Sequence, residues 1–452
     1  MKINTRIILL LLLIISESIF SQETWSLDDC VAYAIKHNLE LNNLKYNTNA
    51  NKETYRQSIR NLLPDIIASS DYNIRYGRSI DPNNNDIVNS DFFSNSYTVS
   101  SSVDIFQGFQ KINTIKASKL LYKASQQDVL HQKYLLAFSV MSAFYDIRFY
   151  EGLLAISEEQ YEISQTNYKL VKRKIDLGLL AGSDLYEAES VLLADKLAVT
   201  QNENSLETAR LKLMQQMNLK GTTTISLNNS LDEMVEAEKD ALVIDQDSIY
   251  NKAKDFIPLI KSEEMKTKAA KKDVAVARGD LYPSLSLFAA YGTGYYETFV
   301  NDAGTIIPFN NQIKDNASQY VGVSLSIPIF NRWSGRSNVK QKKIELQKAN
   351  NNLDIQKQEL YKLIQELVQG QKAMGKESEQ STQKMKAQEL TFAIAQKKHE
   401  KGMISGLELY QAKNLYTQSQ NENLQVRLRL KVNKSTLDFY KGLPVFNSIR
   451  NN

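Results

Sequence analysis

One cysteine, three histidines, seven prolines and 17 glycines are few for 452 residues, and each shortage excludes something. With Cys30 alone there is no internal disulfide. Asp28 and Asp29 precede it, which is wrong for a lipid-attachment signal, so Cys30 reads as a buried helix position. His37, His131 and His399 are far apart, and none has a partner at metal-ligand spacing. No Ser–His–Asp, Cys–His or P-loop arrangement is present. The lone Gly292-Thr293-Gly294 ends a strand pattern rather than opening a helix. The chain therefore reads as neither an enzyme nor a cofactor protein. Charge of one sign is also missing: 55 basic residues face 51 acidic ones, which argues against a nucleic-acid partner. After the first residues, no segment approaches the roughly 20 apolar residues of a membrane-spanning helix.

What is present begins with a targeting signal. Lys2 and Arg6 precede an unbroken apolar run, Ile7 to Ile15, and Ser21 offers a small residue before Gln22. This reads as a secretory signal peptide over residues 1–21, too short to remain as a membrane span. The scarcity of proline and glycine predicts a few very long helices.

The remainder is one unit used twice. Lys174, Gly178, Gly182, Leu185, Tyr186 and Ala188 recur 224 positions later as Lys398, Gly402, Gly406, Leu409, Tyr410 and Ala412. Val99, Ser100, Ser102 and Phe106 recur as Val323, Ser324, Ser326 and Phe330. Nearer the start of each half the spacing is 219: Ala34, Ala50, Lys52, Leu62 and Pro64 match Ala253, Ala269, Lys271, Leu281 and Pro283. The spacing divides the chain into a first repeat at 22–241, a second at 242–441 and a tail at 442–452. A period this long belongs to a duplicated half-molecule, not a solenoid.

Each repeat has the same predicted order. A helix over Trp25–Asn61, capped by Ser26 with Asp28 and Asp29, ends before Pro64. Tyr72, Ile74 and Tyr76 alternate within a strand over Ile66–Arg78. A polar loop over Ser79–Asn95 follows, and Tyr97, Val99, Ser101, Val103 and Ile105 alternate in a second strand ending near Gly108. From Lys111 to Leu177 there is no proline and one glycine, Gly152, which predicts a helix of roughly 100 Å that must lie against other helices. Gly178–Ser183 breaks it, and Asp184 is read as the N-cap of a return helix ending about Leu219. Gly221–Leu242 is a polar connector. The second repeat predicts a helix over Asp245–Asp280, a strand through Leu285, Leu287, Ala289 and Tyr291, and a loop over Glu297–Gln319. A strand through Val321, Val323, Leu325, Ile327 and Ile329 follows, then helices over Gly335–Lys401 and Glu408–Tyr440.

Strands of about a dozen residues in an exported chain suggest an outer-membrane β-barrel. Four strands cannot close one, since the smallest have eight, so several chains must pool their strands. The competing reading is two soluble hairpins packed on a helical bundle. Tyr291, Tyr295, Tyr296 and Phe299 suit either an interfacial aromatic girdle or ordinary strand tyrosines.

The ordered set resembles the TolC-like outer membrane efflux protein family. Trp25 through Asn38 looks like that family's opening helix, and Ser324-Leu325-Ser326-Ile327-Pro328-Ile329-Phe330 like its second-strand signature. Leu177-Gly178-Leu179 through Asp184-Leu185, and Lys401-Gly402-Met403 through Glu408-Leu409, resemble its two hairpin tips. The resemblance covers nearly all of the mature chain. It implies a mainly α fold with a membrane β part: a homotrimer with a 12-stranded barrel in the outer membrane, continued by a 12-helix α-barrel across the periplasm. It also implies partners, namely a periplasmic adaptor and an inner-membrane transporter of a tripartite efflux or type I secretion system. Residue by residue, it places Glu408 in an acidic gate ring and Gln411 where some members carry a second acid. It places Ile404 where some carry a gate arginine, and Asp184 at the first tip. Leu177, Gly178, Leu179, Lys401, Gly402 and Met403 fall at the adaptor contact. Without an acid at 411 or an arginine at 404, a gate here would rest more on packing than on ion pairs. The alternative function is a secreted or surface coiled-coil scaffold without transport.

Overall fold

The computed structural model describes residues 24–80, 85–89, 91–220, 225–228 and 245–450. The expected signal peptide, most of the connector and the end of the tail lie outside the described residues. In chain order the elements are β1 (Thr24–Trp25), α1 (Leu27–His37), α2 (Leu39–Arg60), β2 (Asp65–Arg75), β3 (Arg78–Ile80), β4 (Ile87–Asn89) and β5 (Phe92–Gln107). The first long helices follow as α3 (Gln110–Asp176) and α4 (Gly182–Met217), then β6 (Ser226–Leu227). The second repeat holds α5 (Gln246–Phe256), α6 (Pro258–Gly279), β7 (Ser284–Tyr296), α7 (Phe309–Asp315), β8 (Ser318–Ser326), α8 (Ser334–Glu400) and α9 (Gly406–Tyr440), with α10 (Asn447–Arg450) in the tail. The chain is mainly helical, and α3 and α8 have 67 residues each.

Each repeat opens with two helices, not the single one expected. The break falls at Asn38 in one and at Ile257 in the other, 219 positions apart, and both residues are extended. The first restart is capped by the Asn38 carboxamide, which accepts the Leu41 N–H at 2.8 Å. The second uses Pro258 at the first helical position, where no N–H is needed. The cap at Ser26 is as expected: its hydroxyl accepts the Asp29 N–H and the Asp29 carboxylate accepts the Ser26 N–H at 3.1 Å.

The described residues form two compact units. The first comprises the described parts of 1–44, 129–257 and 357–452. Its core joins the buried face of α1 (Cys30, Val31, Ala34) to Met141, Phe144 and Ile147 of α3, Leu213 and Met217 of α4, and Phe446 of the tail. Each such large side chain contributes roughly 1.5–3 kcal/mol on burial. Cys30 is fully buried, and desolvation pushes its thiol up to about 12. Gly152, the glycine inside α3, has a packing reason: a Cβ there would come within 2.5 Å of Leu424 on α9.

The second unit comprises the described parts of 45–128 and 258–356. It holds a four-stranded antiparallel sheet in the order β2-β5-β7-β8, so β5 and β7 join the two repeats and β2 and β8 are its edges. The Thr48 hydroxyl donates to the Ser125 carbonyl at 3.2 Å, and its repeat equivalent Thr267 donates to the Ala349 carbonyl at 3.2 Å. The duplication is therefore visible down to single hydrogen bonds.

Several boundaries differ from expectation. β5 begins at Phe92 rather than Tyr97, and the first loop contains the antiparallel β3–β4 pair. The second loop contains α7, whose buried Gln312 is tied on both sides: its amide donates to the Tyr296 and Ile307 carbonyls, and its Oε1 accepts the Tyr296 N–H. β8 ends at Ser326, before Pro328, which has no N–H to donate to a ladder. Asp184 is not the N-cap of α4; Ala181 is, and Asp184 lies three residues further on.

Candidate functional site

The sheet register decides which side chains share a face, because directly paired residues point the same way. Ile66 pairs with Ser101, Ala68 with Val99, Tyr72 with Asn95 and Ile74 with Phe93. Val99 pairs in turn with Tyr291 and Val103 with Leu287. Leu287 pairs with Val323, Leu285 with Leu325 and Ala289 with Val321. The alternating residues that lie within the paired strands thus fall on one largely apolar and aromatic face; Tyr76, Ile327 and Ile329 lie beyond the strand ends, and Ile105 is passed over where the β5–β7 register shifts. The opposite face is richer in polar residues, with Asp65, Ser69, Asp71 and Asn73, then Ser100 and Ser102, Ser284 and Ser286, and Ser324 and Ser326, and Ile67, Phe288 and Tyr320 interspersed among them. The apolar face is open in the single chain: Ile66 is 76% exposed and Val321 75%. Both edges are exposed along almost their whole length as well.

The hairpin tips are built alike. At the first, the Leu179 N–H donates to the Lys174 carbonyl and the Gly178 N–H to the Ile175 carbonyl. At the second, Met403 and Gly402 donate to Lys398 and His399. Gly178 and Gly402 have φ of 71° and 73°, the left-handed conformation of a glycine-terminated helix. A Cβ at either would meet nothing within 4 Å, and Leu177, Leu179 and Met403 around them are exposed, as is Lys401.

Both tip acids are helix-capping groups. The Asp184 carboxylate accepts the Ala181 N–H at 3.1 Å. Glu408 completes a capping box: its carboxylate accepts the Ser405 N–H at 2.9 Å and the Ser405 hydroxyl at 3.0 Å, while Ser405 Oγ accepts the Glu408 N–H. These bonds hold the Glu408 carboxyl below its ordinary range. Glu408 and Gln411 are exposed, and no hydrogen bond or ion pair joins either of them to Asp184 among the described residues. Ile404 packs against a small cluster of Phe392, Ala395, Leu409 and Tyr416.

A polar cluster near the tips was not anticipated. Lys413 of α9 is buried and donates to Ser164 of α3 at 2.5 Å; it also pairs with Asp195 of α4, to which Ser164 donates. Burial lowers the Lys413 pKa, outweighing the opposing pull of Asp195. Asn167 donates to the Tyr410 hydroxyl at 3.1 Å beside it. The available signal was a lysine inside the buried stripe Leu409, Lys413, Tyr416, where the spacing calls for an apolar residue. Among the described residues, no group of three or more His, Cys, Asp or Glu side chains could hold a metal ion, and no helix is long and apolar enough to cross a membrane.

Residues 31–219 and 249–443 match the family model described as outer membrane efflux protein. The toluene efflux pump outer membrane protein TtgC of a Pseudomonas putida strain is 22% identical over 435 residues, covering 92% of this chain and 82% of that protein. The antibiotic efflux pump outer membrane protein ArpC of Pseudomonas putida matches over the same length at the same identity. Among solved structures, CusC superposes with a TM-score of 0.78 at 17% identity, covering 94% of this chain and 96% of that one. The CmeC outer membrane channel of Campylobacter jejuni gives 0.75 at 17% identity, covering 92% of this chain and 85% of that one.

Proposed function

Since this chain belongs to the outer membrane efflux protein family, we propose that it is the outer-membrane exit duct of a tripartite efflux or type I secretion system. In this reading, three copies join edge β8 to edge β2 of the next, giving 12 strands. The apolar face meets lipid and the serine-rich face lines water. The helices α3, α4, α8 and α9 of three copies form the 12-helix tube in the periplasm. Substrate arrives from an inner-membrane transporter through a periplasmic adaptor and passes down this passive conduit. The functional division follows the repeats at 22–241 and 242–441.

The observation that carries the reading is the two-faced sheet with both edges unpaired. A soluble hairpin packed on its own helices would hide the apolar face, whereas here that face is open. An exposed strand edge in lipid costs several kcal/mol per unpaired group, so edges must meet edges. The register inside the chain supplies the expected register between chains. Val99 pairs with Tyr291 across the β5–β7 seam. The repeat spacings translate this to Val323 opposite Tyr72 of the next copy, two residues of the lipid-facing side.

The tips form the adaptor contact through Leu177, Gly178, Leu179, Lys401, Gly402 and Met403, because the bare glycines let a partner helix approach closely. Asp184, Glu408 and Gln411 belong to the gate. Purification in detergent followed by mass measurement and planar-bilayer recording tests the whole. A trimer that conducts is expected; a water-soluble, non-conducting monomer would overturn it.

A further inference from the structure

We propose that the two strand-to-helix feet of the sheet form a collar that binds the phosphate headgroups of anionic glycerophospholipids. The inference rests on the membrane reading of the sheet given above.

Both feet are left-handed turns at equivalent places. Gly108 and Phe109 have φ of 53° and 62°, and 224 positions later Arg332 and Trp333 have 54° and 67°. Three of these four residues are not glycine, so the turn is strained and something outside the local sequence maintains it. Each turn holds an aromatic side chain out from the fold: Phe109 is 61% exposed and Trp333 60%. The Arg336 guanidinium lies over the Trp333 ring, 4.5 Å from its centroid. Ile327 and Ile329, just before the second foot, are exposed apolar residues.

Cations follow in both repeats at the same distance. Lys116 and Lys119 lie seven and ten residues beyond Phe109; Lys340 and Lys343 lie seven and ten beyond Trp333. All four are exposed, and none has an ion-pair partner among the described residues. Their neighbours behave differently: Lys111 pairs with Asp104 at 2.9 Å and Lys342 with Glu345 at 2.8 Å. The unpaired lysines are therefore a duplicated set.

The dimensions suit a membrane boundary. Exposed tryptophan settles at the headgroup level, and Phe109 occupies the equivalent place in the first repeat. Seven and ten helical residues rise about 10 and 15 Å beyond it. Helical side chains tilt toward the N-terminus, here toward the sheet, so the stems of Lys116 and Lys340 bring their ammonium groups back to the headgroup zone and those of Lys119 and Lys343 reach toward it. A zwitterionic headgroup offers these lysines no net charge, whereas an anionic lipid does, worth about fivefold in binding per lysine near the surface.

The test uses the full-length protein in nanodiscs of mixed phosphatidylglycerol and phosphatidylcholine. Retained lipids are counted by native mass spectrometry, and the same protein is recorded in pure phosphatidylcholine bilayers. The variants are the quadruple K116Q/K119Q/K340Q/K343Q and, separately, R336Q. The wild type is expected to retain phosphatidylglycerol preferentially, and the quadruple variant to lose that preference by at least about fivefold with unchanged conductance. R336Q is expected to weaken it less. Equal retention of both lipids by the wild type, or an undiminished preference in the quadruple variant, would overturn the collar. A changed ion selectivity in neutral lipid with undiminished lipid preference would put the lysines in the lumen and overturn it too. Wild-type protein that neither enters nanodiscs nor conducts would remove the membrane reading itself, and the collar with it.

Discussion

Lys413 and Ser164, 249 positions apart in the chain, meet at 2.5 Å and share the Asp195 carboxylate. This one contact ties the second-repeat helix α9 to both helices of the first-repeat hairpin. A buried charge with a single counter-ion is sensitive to loss of that partner. Asp195→Ala strands the Lys413 ammonium and is expected to destabilise the helical unit by about 3–5 kcal/mol. Adding Lys413→Met should recover most of that loss. Thermal unfolding followed by circular dichroism measures both. Because burial holds the folded lysine below its ordinary value, the unfolded chain binds more protons just below about pH 10.4. Stability from this site should therefore rise with pH as that range is approached, and Lys413→Met should abolish the slope.

The Glu408 carboxylate caps α9, and substitution can separate that role from the luminal one proposed above. As a cap it needs only an acceptor for the Ser405 N–H; in a luminal ring it needs its charge. Glu408→Gln should keep most of the cap yet reduce cation selectivity in the reconstituted pore, while Glu408→Ala should lose both. The folded pKa lies below the ordinary one, so the cap's contribution is present at neutral pH and is lost as pH falls through the folded value. Selectivity equal to wild type in both variants would take Glu408 out of the gate.

Cys30 should be silent to thiol reagents in the folded protein. Its pKa is raised from 9.0 to about 12, so the reactive thiolate is scarce even at pH 9, and the side chain is fully buried. Iodoacetamide labelling is expected to follow unfolding rather than pH. The unfolded thiol ionises first, so stability from this residue is complete below about pH 9 and falls between 9.0 and about 12. Rapid labelling at neutral pH would contradict this.

Tyr186 and Tyr410 are repeat equivalents with opposite surroundings. Tyr410 is buried and accepts from Asn167, whereas Tyr186 is exposed. Applying the same spacing to Asn167 gives Thr391, so in the proposed trimer Tyr186 should meet Thr391 of an adjacent copy. The double variant Y186C/T391C is expected to form covalent oligomers on mild oxidation, with each single variant giving none. Absence of cross-links in a protein shown to be trimeric would refute that packing.

The architecture was legible wherever a local rule decides it. Pro64 and Pro283 mark helix ends because proline is not tolerated in a helix interior, and Gly178 and Gly402 mark tips because φ is positive there. The alternating residues of all four strands lie on one face because period two is a property of the strand itself. What escaped depended on residues distant in sequence or on permissive ones. Asn38 is tolerated inside helices, so its break shows only when its side chain turns to cap the next turn. Residues 309–315 look like polar loop until Gln312 is seen bound to Tyr296 and Ile307. The tip acids were found, but their capping role was assigned one turn too far along for Asp184, and the Lys413 cluster requires a meeting of helices that no window of sequence contains.

The β5–β7 seam has a consequence for assembly. Because the two duplicated halves are already hydrogen-bonded within one polypeptide, the six-part ring of the proposed trimer needs only two molecular encounters. Every second junction forms at the effective concentration of a single chain and cannot be diluted away. The remaining junctions carry all of the concentration dependence, so six separate halves would have to come together in five encounters to make the same ring.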